Sequence, residues 1–321
     1  MNKYNEIYGV DISKDVFDVF NTEGVHKQYQ NTFKGFKKFS KELSSQALVV
    51  MEATGYYHCG LAQYLYQKAH LVSVVNPLSV KRFIQMKLSK VKTDKSDAKA
   101  ICEYAKVNEV PLYKAKDKDQ SECLQLLSLI ELYLKQSTAI KNKLHGEKTL
   151  NIPSKAVYHS LNRSLKFLQK EIKALEDRLV QLVKEHQAQQ LTLLKSIPGM
   201  GNKTAMLLII LTDGFSRFET AKQLCCYAGT TPTIRQSGSS VRGRSRISKV
   251  GNKKLRNLLF LCSFSACKYN KGCREMYERI IAKGKSKKLA LIAVCNKLLK
   301  QAFAIAKSGL PYDEQFVSKL T

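Results

Sequence analysis

Four carboxylates, in a chain otherwise crowded with lysine and arginine, are the residues best placed to do chemistry. Asp11 sits inside Ile7-Tyr8-Gly9-Val10-Asp11-Ile12, a run of β-branched and aromatic residues suited to a pleated surface. Glu52 ends the apolar run Ala47-Leu48-Val49-Val50-Met51 in the same way. An acid set into a strand is costly to bury unless a metal or a charge partner meets it, so Asp11 reads as the first ligand of a metal site. Asp94 and Asp97 follow Thr93, a good helix N-cap, which places both in the first turns of a helix. Their i, i+3 spacing puts them on one face. Acids favour helix N-termini through the dipole alone. Two strand acids followed by a helical pair is, however, the set that a two-metal phosphoryl-transfer site needs, because two magnesium ions about 4 Å apart require several converging carboxylates.

A second constellation is basic. Residues 235–256 contain no acid and carry Arg235, Arg242, Arg244, Arg246, Lys249, Lys253, Lys254 and Arg256, with Gly and Ser between them that let the backbone approach a polyanion closely. Serines in such a loop are usually flexible spacers. Upstream, Ile197-Pro198-Gly199-Met200-Gly201-Asn202-Lys203 has the form of a helix-hairpin-helix, in which free backbone N–H groups and Lys203 hold a backbone phosphate.

The elements that must position these groups follow from periodicity. Strands are expected at 7–12, 16–20, 25–31, 47–52 and 71–75, with helices at 32–44, 57–69, 78–87 and 94–106, an alternation that indicates an α/β domain over 1–115. From 116 to 190 apolar residues keep 3-and-4 spacing with Lys and Glu between them, broken at Ile152-Pro153, which reads as a helical hairpin or coiled-coil arm with self-association as its use. The region 191–321 reads as mainly helical, with apolar helices at 257–267 and 287–299.

Composition narrows the partners. The 321 residues have a formal net charge of +28, which points to polyanions, either nucleic acid or an anionic membrane surface. No apolar run approaches the roughly 20 residues needed to span a bilayer, and no signal-peptide pattern opens the chain, so a soluble intracellular protein is expected. Nine cysteines without a Cys-x-x-Cys pair fit reduced thiols, and six histidines without zinc-type spacing leave a hard, oxygen-held metal.

Taken in order, Gly9-Val10-Asp11, Met51-Glu52-Ala53-Thr54-Gly55, Lys92-Thr93-Asp94-Lys95-Ser96-Asp97-Ala98, Ile197-Pro198-Gly199-Met200-Gly201, Arg235-Gln236-Ser237-Gly238 and Gly243-Arg244-Ser245-Arg246-Ile247-Ser248-Lys249 resemble the DEDD transposases of bacterial insertion sequences, the IS110 family, with Piv-type DNA invertases as relatives. The resemblance covers essentially the whole chain. It implies an RNase H-like (RuvC-like) N-terminal domain whose Asp11, Glu52, Asp94 and Asp97 hold Mg2+, with two ions per site. It further implies a C-terminal transposase domain in which Ser237 attacks DNA and forms a covalent phosphoserine bond. The implied partners are donor and target DNA, an element-encoded guide (bridge) RNA and further copies of the chain, as a dimer or tetramer in which the metal site of one subunit meets the serine of another. The implied location is the bacterial cytoplasm, at the nucleoid and away from membrane.

Two other readings stay open on the residues alone. One is a RuvC-like structure-specific nuclease that uses activated water and forms no covalent intermediate. The other is a non-catalytic protein that only organises nucleic acid.

Overall fold

A computed structural model describes residues 4–53, 55–88, 93–115, 117–150, 152, 154–234, 236–237, 241–243, 246–248 and 250–315, with backbone alone at 236, 237, 241 and 242. The chain divides into two compact units, Met1–Lys116 and Asp117–Thr321.

The first unit is a five-stranded mixed sheet covered by helices on both faces. Its strands are β1 (Ile7–Ile12), β2 (Val16–Asn21), β3 (His26–Gln30), β4 (Leu48–Glu52) and β5 (Leu71–Val75), in the order β3-β2-β1-β4-β5. β1, β2 and β3 form an antiparallel meander, whereas β4 runs parallel to β1 and β5 parallel to β4. Parallel neighbours need crossovers, and α1 (Phe33–Ser40) and α2 (His58–Gln67) supply them. Period-2 alternation sends Val10, Ile12, Phe17, Val19, Val49 and Met51 to one face, where they pack with Phe36, Phe39, Leu61 and Leu65 of α1 and α2. On the other face Ile7, Leu48 and Val50 meet Val80 of α3 (Pro77–Met86) and Ile101, Cys102 and Ala105 of α4 (Asp94–Val107).

α4 lies directly on β1, and Gly9 permits it. A Cβ at position 9 would stand 2.3 Å from both the Ala98 carbonyl oxygen and the Cys102 backbone nitrogen. The Cys102 thiol donates to the Ile7 carbonyl at 3.4 Å beside this contact.

The second unit is built from α5 (Lys118–Lys148), α6 (Lys155–Lys195), α7 (Asn202–Thr212), α8 (Ala221–Ala228), α9 (Lys253–Tyr269), α10 (Lys271–Ala282) and α11 (Lys287–Ser308). α5 and α6 pair antiparallel, as the contacts Arg178 to Glu122 (3.0 Å) and His186 to Asp119 (3.2 Å) require. Their turn falls where the sequence places a break. One core joins them to α7, α8, α9, α10 and α11 through Leu182, Leu194, Leu208, Leu224, Leu259, Cys273 and Leu298. Between α8 and α9 the basic segment carries two short ladders. β6 (Pro232–Thr233) pairs with β9 (Arg246–Ile247), and inside it β7 (Gln236–Ser237) pairs with β8 (Val241–Arg242).

Three features depart from expectation. α10 was not expected, because its many charged residues hide a narrow apolar stripe. The short strands lie in a segment that reads as loop from sequence, since two-residue ladders leave no periodic trace. α11 is longer than the expected 287–299, and by length and composition it is the one helix among the described residues that could cross a membrane. Ala290, Leu291, Val294, Cys295, Leu298, Leu299, Ala302 and Ile305 are buried along it, as befits a core helix. All nine cysteines are free.

Gly9→Ala should therefore unseat α4. Overpacking against atoms that cannot rotate away costs about 1–3 kcal/mol, so the urea midpoint should fall by the equivalent of about 3 kcal/mol. An unchanged midpoint would contradict the close approach.

Candidate metal centre and nucleic-acid interface

Strand register sets the first part of the site. β1 pairs with β2 so that Asp11 faces Asp18, and β2 pairs with β3 so that Asp18 faces Gln28. On the other side of β1 the parallel register sets Val10 against Met51, so the next residues, Asp11 and Glu52, stand side by side at the strand ends. Cross-strand partners share a face. A polar row Glu52, Asp11, Asp18, Gln28 thus crosses the sheet on the face that α4 covers.

The second part comes from the start of α4. Thr93 accepts from the Ser96 backbone N–H at 3.1 Å, while the Ser96 hydroxyl accepts from the Thr93 N–H at 2.8 Å, a reciprocal cap that fixes the first turn. That turn carries Asp94 and Asp97. Because α4 rests on β1 at Gly9, its acidic end is brought toward Asp11.

The electrostatic result is a crowded negative site. Burial pushes the Asp11 carboxyl up to about 6, and the charges of Asp97, Asp94, Glu52 and Asp18 add to the effect in that order. The four acids expected from sequence therefore share one field. Asp18, which sequence reasoning missed, joins them.

The donor chemistry fits a hard divalent cation, being all carboxylate oxygen with Asp11 raised by burial and then by like charge. Among the described residues, no group of three or more His, Cys, Asp or Glu is arranged so that it could hold a metal ion. The acids are close enough to repel one another and would have to draw together around a cation.

The basic candidates separate into different roles. Arg246 and Lys253 are exposed. Lys203 is exposed and lies 2.8 Å from Glu176 of α6. Lys254 is half-buried, and burial lowers its pKa against the opposing charges of Glu131 and Glu176. Arg256 donates from Nη1 to the Ala228 carbonyl at 2.9 Å and so closes the C-terminus of α8. Arg235, Arg244 and Lys249 lie outside the described residues, and only the backbone of Arg242 is described. Ser237 pairs with Val241 in the inner ladder. In the α6–α7 turn, Gly199 has φ +94°, and a Cβ there would meet the Ala266 nitrogen at 2.6 Å, so this turn is pressed against α9.

Two tests follow from these placements. Asp11 has a raised pKa in the fold, so its penalty is absent below about pH 4, grows as pH rises from there and is fully present above about 6. In chelator-treated protein, Asp11→Asn should raise the thermal midpoint at pH 8 by an amount that shrinks toward pH 4.5; an equal gain at both pH values would rule out a charge effect. Among the cations, Arg256→Ala should cost about 1–2 kcal/mol of stability by leaving a helix carbonyl unmet. Lys253→Ala should spare stability and reduce the salt slope of DNA binding by about one unit. The reverse pattern would undo the assignment.

Comparison with known proteins agrees with the resemblance. Residues 8–150 match the family model described as Transposase, of the IS110 DEDD type, and residues 191–278 match that described as Transposase IS116/IS110/IS902 family. The chain is 32% identical over 333 residues to the pilin gene-inverting protein of Moraxella lacunata, covering 96% of this chain and 97% of that one. It is 31% identical over 325 residues to the pilin gene-inverting protein of Moraxella bovis, with the same coverage. It is also 25% identical over 335 residues to the transposase for insertion sequence element IS1111A of Coxiella burnetii, covering 95% of this chain and 88% of that one. With a full-length likeness to DNA invertases and a transposase match in each half, the chain belongs to the IS110 family of transposases and pilin gene-inverting proteins, enzymes of DNA recombination.

Proposed function

We propose that this recombinase cuts and rejoins DNA strands with an RNase H-like site at Asp11, Glu52, Asp94 and Asp97 that binds Mg2+, two ions per site, and with Ser237 as nucleophile. The observation that carries this reading is the convergence of negative charge on Asp11 from two strands and a helix end. Asp11 is raised first by burial and then by four neighbouring acids, and an all-carboxylate set of this kind is matched by a divalent cation. When bound, such ions stabilise charge on the transferring phosphoryl group and lower the pKa of a nearby hydroxyl.

In the proposed step the Ser237 hydroxyl attacks a backbone phosphorus. An Oγ–P bond forms, the P–O bond to one sugar breaks, and the hydroxyl proton passes to the departing oxygen or to solvent. The covalent link conserves the phosphodiester energy, so attack by another strand's sugar hydroxyl reseals DNA and restores the serine without a high-energy cofactor. The place of Ser237 in the inner two-residue ladder of the basic segment supports this role.

The proposal extends to partners. The net charge of +28 and the exposed Arg246 and Lys253 suit backbone contacts. A protein that binds through such contacts can leave sequence reading to base pairing, so an element-encoded guide RNA is included, together with a homo-oligomeric assembly on donor and target DNA.

The test is covalent trapping of full-length protein with co-expressed element RNA, Mg2+ and cognate DNA on a denaturing gel. A Mg2+-dependent adduct is expected for wild type and is lost in Ser237→Ala and in Asp11→Ala. Cleaved ends without an adduct, unchanged in Ser237→Ala, would instead establish a water-using nuclease.

A further inference from the structure

Asp18 has no role in the set just proposed, yet it is only 4% exposed. It faces Asp11 across the β1–β2 ladder and Gln28 across the β2–β3 ladder. Three contacts hold its carboxylate. His26 Nε2 lies 2.7 Å from Oδ1, and Gln28 Nε2 donates to Oδ2 at 3.1 Å and to Oδ1 at 3.3 Å. His26 and Gln28 both belong to β3 and sit two residues apart, so they reach Asp18 from one face of that strand.

This is a costly arrangement if Asp18 serves stability alone. An Asn at position 18 could accept the two contacts made to Oδ1, losing only the one to Oδ2, and would not repel Asp11. The carboxylate instead sets a second acid, buried, directly opposite Asp11 in the β1–β2 ladder. We propose that Asp18, oriented by His26 and Gln28, is a positioning residue for the acidic site: it fixes a negative charge behind Asp11 that strengthens the hold of Asp11 on a divalent cation. In this role Asp18 belongs to the shell around the ligands, which orients first ligands and typically shifts metal affinity by about 10–100-fold when removed. The inference rests on the reading of Asp11 as a metal ligand.

The probe is Mn2+, titrated calorimetrically into chelator-treated full-length protein at pH 8, with thermal midpoints recorded for every variant. Wild type should bind and Asp11→Asn should not. Asp18→Asn and His26→Ala should bind about 10-fold more weakly. His26→Gln, which keeps a donor toward Asp18, should stay near the wild-type Kd, which no loss of His charge or general loosening would allow. If Asp18→Asn does not fold, the His26→Ala and His26→Gln pair carries the test. Variants that lose thermal stability while keeping the wild-type Kd would reduce Asp18 to a structural residue and overturn the proposal, leaving the metal reading intact. Indistinguishable titrations of wild type and Asp11→Asn would remove the metal reading, and the role of Asp18 with it.

Discussion

The acidic site depends on how closely α4 can approach β1. The helix meets the strand backbone to backbone at Gly9, where even a methyl group would stand 2.3 Å from a carbonyl oxygen and an amide nitrogen. That contact places the capped first turn of α4, and with it Asp94 and Asp97, within the electrostatic reach of a strand-borne carboxylate. A larger residue at position 9 would lift the helix and dissolve the shared field. The apolar side chains below it, Ile7, Leu48, Val50, Ile101 and Cys102, keep the helix seated and leave the polar row at the open end of the strands.

Crowding of like charge is the feature that a purely structural reading leaves without a reason. The macrodipole of α4 favours acids at its N-terminus, so Asp94 and Asp97 alone would need no further explanation. Asp11 is different, because burial and four neighbouring acids all disfavour its charged form. On the proposed reading a cation would relieve this repulsion, and without one Asp11 is a weak point above about pH 6. In the second unit the corresponding economy is structural. Arg256 ties the start of α9 to the end of α8, where the basic segment leaves and returns, and Gly199 lets the α6–α7 turn press on the far end of α9.

Much of this was legible in the amino-acid sequence, and the limits have physical causes. All five strands of the sheet and the cap at Thr93 follow from alternation and local hydrogen-bonding chemistry, which depend on neighbours in sequence. Asp11, Glu52, Asp94 and Asp97 stood out as acids in a basic chain. Asp18 did not, because an acid in Val16-Phe17-Asp18-Val19-Phe20 looks like the solvent-facing position of an ordinary alternating strand; only register shows it opposite Asp11. Likewise Arg256 and Lys203 cannot be told from phosphate-binding residues by composition, since their partners, the Ala228 carbonyl and Glu176, are 28 and 27 residues away. α10 is hidden by its charge, and α11 runs past the expected end at Leu299 to Ser308, with Ala302 and Ile305 continuing its buried face.

The central claim is that β1, β4 and α4 together hold a divalent cation, and anomalous diffraction from crystals soaked in Mn2+ tests it most directly. The expected result is an anomalous peak in bonding contact with Asp11 and Glu52, with Asp94 or Asp97 drawn in from α4. Crystals whose manganese peaks lie elsewhere, with Asp11 and Glu52 untouched at saturating Mn2+, would contradict it.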